Sequence, residues 1–203
     1  MSIIEDKYKK ECAFTEGDIF EHLPTLYKYG LECSHVTEMG VRSVVSSYAF
    51  ANALKNRSNT KLIQVDLDTN ENVFKFKEEC AAENLPVVFY QANSIYCPRE
   101  KTDLLFIDTW HVYGQLKREL NYWHTYVDKY IIMHDTTIDE WLGESIRCTR
   151  NTSVESKRTG IPENEIRMGL WPAIDEFLEA HPEWKIHERF TNNNGLTVLK
   201  RVA

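Results

Sequence analysis

Five short apolar runs recur through the first two thirds of this chain, and each ends in polar side chains. They are HVTEM, KLIQVDLD, PVVFYQANS, LLFID and KYIIMHDTT, closing on Glu38, Asp66, Asn93 with Ser94, Asp108, and His134 with Asp135. Near-continuous apolar runs are what strands buried on both faces need, as in a parallel sheet. Amphipathic stretches at 43–54, 70–83 and 112–126 lie between them. Their apolar residues recur at helical spacing. Strand and helix therefore alternate, which predicts an α/β fold with a mostly parallel, doubly wound sheet and helices on both faces. Ligands of such sheets bind beyond the carboxyl ends of the strands. The five polar ends thus mark where a site belongs.

The rest of the chain follows less strictly. Residues 15–29 predict a short helix, with Thr15 or Asp18 as its cap and Gly30 at its end. Residues 142–168 are polar and lack apolar periodicity, so they are expected to form a long surface loop or lid. WPAIDEFLEAHPEW predicts a helix with Pro172 in its first turn. WKIHERF and GLTVLKR, joined by TNNNG, predict a C-terminal antiparallel hairpin. One domain over 1–203 is expected.

Bulk properties narrow the partners. A net charge of −7 disfavours nucleic acid as the main partner. No apolar run approaches the roughly 18–20 residues of a membrane span. MSIIEDKYKKEC lacks the pattern of a secretory leader, so a soluble, cytoplasmic protein is expected. Cys12, Cys33, Cys80, Cys97 and Cys148 contain no C-x-x-C pair, which points to reduced thiols.

The strand ends carry the chemistry. In VTEMGVRS an acid, Glu38, is followed by Gly40 and a helix start, where backbone N–H groups face a ligand. The G-x-G-x-x-G of a dinucleotide site is missing, so a nicotinamide cofactor is disfavoured. Asp66 is placed to accept from ribose hydroxyls. With Asp68 it also reads as the D-x-D metal motif of a glycosyltransferase, or Asp68 as a helix cap. Asn93 and Ser94 suit adenine nitrogens or a turn. FIDTWH puts His111 three residues after Asp108, and IIMHDTT puts Asp135 and Thr136 at the next strand end. Two carboxylates on neighbouring strand ends can share a hard cation such as Mg²⁺. His111 is then placed to take a proton from a bound hydroxyl.

Taken together, E-x-G, the acid after the second strand and FIDTWHVYGQLKREL…YIIMHDT resemble the class I S-adenosylmethionine-dependent methyltransferases. Within that class they are most similar to the small sugar and catechol-type O-methyltransferases. The resemblance spans 15–203 apart from 142–168, and implies a Rossmann-like fold. It places Glu38 and Gly40 at the methionine part of the cofactor, Asp66 at the ribose, Asn93 and Ser94 at the adenine, and Asp108 also among the cofactor-binding residues. It places Asp108, Asp135 and Thr136 at a metal, with His111 where catechol-type enzymes carry a lysine base. Two positions depart from the pattern. Val44 replaces a later glycine, where bulk would narrow the cofactor site or shift the loop, and Thr136 replaces an acid or amide.

Trp110, Tyr113, His134, Trp141 and Trp171 lie near the catalytic strand ends or follow them. Aromatic faces suit a sugar-like or flat acceptor. By analogy with sugar O-methyltransferases, the expected acceptor is a sugar or glycan hydroxyl, with a phenol or catechol as the alternative. A glycosyltransferase and a non-catalytic cofactor-binding scaffold are the rival classes. A homodimer is the expected assembly for such a chain.

Overall fold

The computed structural model describes residues 2–202. Its strands are β1 (His35–Met39), β2 (Lys61–Asp66), β3 (Val87–Gln91), β4 (Thr102–Ile107), β5 (Val127–His134), β6 (Trp184–Phe190) and β7 (Leu196–Arg201). They form one sheet in the order β3-β2-β1-β4-β5-β7-β6. The first five are parallel, whereas β7 runs antiparallel to both β5 and β6. The expected strand–helix alternation and the C-terminal hairpin are both present. Strand order reverses between β1 and β4, which is where open α/β sheets form their ligand crevice.

Alternation along the strands splits the core in two. Leu104, Phe106 and Ile132 face a layer built from α1 (Ile3–Ala13), α2 (Leu23–Leu31), α3 (Val45–Leu54) and α4 (Glu71–Ala82). Leu105, Ile107, Ile131 and Met133 face α5 (Tyr113–Trp123) and α9 (Trp171–Ala180), where Leu116, Trp123, Ile174 and Phe177 are buried. Local chemistry fixes the ends of these helices. Ser2 caps α1 by accepting from Glu5 N, and Asn70 caps α4. Pro residues occupy the first turns of α2 and α9.

Three expectations need correction. The helix expected at 15–29 is instead a 3-10 turn, Phe20–His22, running into α2. Gly30 lies inside α2, because α3 packs so close that a Cβ there would sit 2.8 Å from Ala53 Cβ. α1 was not foreseen. Residues 142–168 are not a structureless loop: they hold α6 (Glu144–Arg147), α7 (Thr152–Thr159) and α8 (Glu163–Arg167). Asn151 caps α7, and Gly160 ends it in the left-handed region. Ile161 and Ile166 then pack on Val112 to make a small third core.

Candidate active site

Gly40 turns the chain at the end of β1 with φ +85, and a Cβ there would lie 1.8 Å from the backbone oxygen of Asp108. Only glycine allows that approach. Beyond it, the N–H groups of Val41 and Arg42 donate to Asp66 Oδ2 at 2.7 and 3.0 Å. Asp66 Oδ1 accepts from Asp68 N at 3.0 Å. Asp66 therefore clamps the β1–α3 loop from the end of β2. In this arrangement Asp66 and Asp68 make a turn rather than a shared cation site, which disfavours the D-x-D reading.

Val44 caps α3 with φ 62. The left-handed region costs a β-branched residue about 1–2 kcal/mol. The Val44 side chain is buried in the core, packed with the residues of the α1–α4 layer.

Glu38 is fully buried. It accepts from Ser46 Oγ and Ser47 Oγ, each at 2.6 Å, and from Gln64 Nε2 at 3.0 Å. Its carboxyl braces the first turn of α3 behind the loop. Burial pushes its pKa up to about 7, against those three hydrogen bonds. The unfolded chain ionises this acid near 4.5, so between pH 4.5 and 7 the unfolded state binds fewer protons. Stability contributed by Glu38 is full below that window and is lost as pH rises through it, by about 3 kcal/mol. Glu38→Gln should flatten the urea midpoint against pH across this window. An unchanged slope would refute the assignment.

The ends of β4 and β5 bring Asp108, His111 and Asp135 together. His111 Nε2 lies 3.2 Å from Asp108 Oδ1 and 3.1 Å from Asp135 Oδ2. Its Nδ1 faces Asp139 Oδ2 at 3.4 Å and Glu144 Oε2 at 3.8 Å. Asp139 is fully buried and bound bidentately by Arg147, with both contacts at 2.7 Å. Asp135 is buried with φ 57, a strained setting of the kind that clusters at functional sites. Burial would lower the pKa of His111, but Asp108, Asp139 and Asp135 prevail and lift it to about 10. Burial likewise opposes ionisation of Asp108, yet His134 and His111 hold its carboxyl well below the usual range.

Sequence reasoning missed Asp139, Glu144 and Arg147. The D-x-x-x-D spacing of Asp135 and Asp139 was visible, but Arg147 fell in a stretch read as loop. Other expected residues sit differently. His134 is buried, with Nδ1 3.4 Å from Asp108 Oδ1 and 3.3 Å from Asp135 Oδ2, so it belongs to the cluster rather than to a substrate surface. Tyr113 is buried against α9, its hydroxyl 2.8 Å from Glu176 Oε2, which removes it from the acceptor face. Thr136 is buried and its hydroxyl pairs with Thr197 at 2.9 Å, away from the two carboxylates. Asn93 Oδ1 accepts from Ile95 N, and Ser94 donates to the buried Glu119. Trp110 donates to Ser145 Oγ, Trp171 lies beneath the Arg189 guanidinium, and Trp141 is exposed.

The charges of the cluster balance. Protonated His111 and His134 and the Arg147 guanidinium face Asp108, Asp135 and Asp139. Donor atoms of Asp108, His111 and Asp135 lie within 4.8 Å of one another. The two carboxylates suit a divalent cation, which would replace the protons that offset the acids.

Residues 37–136, just under half of the chain, match the family model described as a methyltransferase domain. Solved structures share the fold at low identity. One is a Klebsiella pneumoniae protein titled as a candidate O-methyltransferase, with TM-score 0.61, 12% identity, and coverage of 100% of this chain and 91% of that one. Another is the O-methyltransferase TomG of Streptomyces achromogenes in complex with S-adenosylmethionine, with TM-score 0.58, 10% identity, and coverage of 90% and 80%. A third is a Podospora anserina methyltransferase bound to S-adenosylhomocysteine, with TM-score 0.58, 12% identity, and coverage of 98% and 88%. No curated protein matches the sequence. No helix among the described residues is long and apolar enough to cross a membrane.

Proposed function

We propose that the protein transfers a methyl group from S-adenosylmethionine to a hydroxyl of a sugar or glycan, with His111 as the base. The observation that carries this reading is His111, held between Asp108 and Asp135 at two adjacent strand ends. S-Adenosylmethionine supplies a methyl group already activated on a sulfonium. The Gly40 loop, braced from behind by Asp66, would hold it, and the loop has the tight turn that such a cradle needs.

Asp139 and Glu144 lie on the Nδ1 side of His111, and Nε2 faces Asp108 and Asp135. The surrounding acids hold the ring protonated at neutral pH, and a base must be neutral. Asp108 and Asp135 would hold a divalent cation, whose charge would offset those acids and polarise a hydroxyl. His111 is placed to accept the hydroxyl proton at Nε2. Exposed Trp141 and partly buried Trp110 offer aromatic surface for a sugar ring, and a phenol or catechol is the second reading.

Calorimetric titration with S-adenosylhomocysteine, with and without Mg²⁺, tests the cofactor, and a panel of glycosides and catechols tests the acceptor. Chelating divalent ions should lower turnover by about 100-fold or more. Full turnover in chelator would remove the metal, and the absence of cofactor binding would remove the whole reading.

A further inference from the structure

A second donor cluster lies at the far end of the sheet. His124 opens the 3-10 turn His124–Tyr126 that follows α5, His181 is the C-cap of α9, and Glu183 precedes β6. Strand β5, eight residues long, separates this end from His134. At about 3.3 Å per residue that is about 25 Å. The cluster is therefore independent of the candidate active site.

One donor atom from each of the three residues lies within 4.8 Å of the others. His181 Nδ1 is 3.5 Å from Glu183 Oε1, and the two imidazoles approach to 4.1 Å between centroids. His124 Nδ1 is buried and has no hydrogen-bond partner among the described residues. A buried ring nitrogen without a partner carries a desolvation cost, which a ligand at that atom would offset. The site also contains an opposing charge: Arg201 donates to the His124 carbonyl at 2.8 Å and lies over the Trp184 ring.

We propose that His124, His181 and Glu183 form a zinc site that fastens the end of α9 to the end of α5. Two imidazole nitrogens and one carboxylate oxygen are a donor set typical of Zn²⁺, with the fourth position open to water. His124 follows directly on α5, and His181 ends α9. An ion shared by them ties together the two helices that cover this face of the sheet. It would act on stability, since metal that binds only the folded state adds its binding free energy to folding.

The test uses the full chain, stripped of metal and titrated with Zn²⁺ against a chromophoric chelator, with melting followed in parallel. Two variants, His181→Ala and the isosteric Glu183→Gln, are compared with the wild type. Each variant is expected to lose one zinc equivalent, or to bind it at least about tenfold more weakly, and to lose the zinc-induced rise in melting temperature. Zinc bound at the candidate active site stays in both variants and is counted separately by Asp108→Asn. The same stoichiometry and melting shift in Glu183→Gln as in wild type would overturn the proposal, as would a wild type whose only zinc disappears in Asp108→Asn. If His181→Ala fails to fold, Glu183→Gln decides alone.

Discussion

His111→Ala is expected to lower kcat by about 100- to 10,000-fold, the range a positioned general base supplies. Affinity for S-adenosylhomocysteine should change little, because the Gly40 loop and Asp66 make no hydrogen bond to His111. The variant also removes a cation. Asp108, Asp135 and Asp139 then face one another with only His134 and Arg147 to offset them. Stability should fall as well, since unpaired buried carboxylates are costly. Calorimetric binding and a thermal melt separate the two effects. A folded variant that binds S-adenosylhomocysteine normally yet turns over within about tenfold of wild type would leave His111 a charge-balancing group and no base. His111→Gln serves as a second probe, because it keeps polar contacts without a titratable ring.

The polar strand ends were legible because the sheet imposes them. A parallel strand buried on both faces must change from apolar to polar where it leaves the core, so Asp108, His111 and Asp135 stood out. What a polar residue bonds at that point is not written in the pattern. Glu38 and Asp66 both read as ligand-facing acids. In the structure their oxygens go to Ser46, Ser47 and Gln64, and to the N–H groups of Val41 and Arg42. Those donors are backbone N–H groups of the tight loop, hydroxyls of the first turn of α3 and the Gln64 amide of β2, and the apolar pattern marks none of them. Tyr113 failed for another reason: which face of α5 meets α9 depends on tertiary packing. α1 escaped notice because Ile4 is its one buried residue. The segment 142–168 hid three short helices, since its few apolar anchors, Ile161 and Ile166, lie between them and Val112. The Asp139–Arg147 pair was invisible for the same reason.

Gly40→Ala is expected to destabilise the protein by about 3 kcal/mol or more and to abolish cofactor binding. Two costs act at this position. The first is backbone strain, since φ is +85. The second is steric: the added Cβ would lie 1.8 Å from the oxygen and 2.5 Å from the carbonyl carbon of Asp108. These are backbone atoms of the loop that leaves β4, and they cannot rotate aside as a side chain would. Relief requires the ends of β1 and β4 to part. That displaces Asp108, and with it one of the two acids holding His111 Nε2. Gly160 isolates the first cost, because its φ is +75 and a Cβ there meets nothing within 4 Å. Gly160→Ala should therefore cost only about 1 kcal/mol. The difference between the two urea midpoints measures the steric part. Equal midpoints would mean that the β1–β4 crevice yields easily, and that its tight turn does not hold the loop against Asp108.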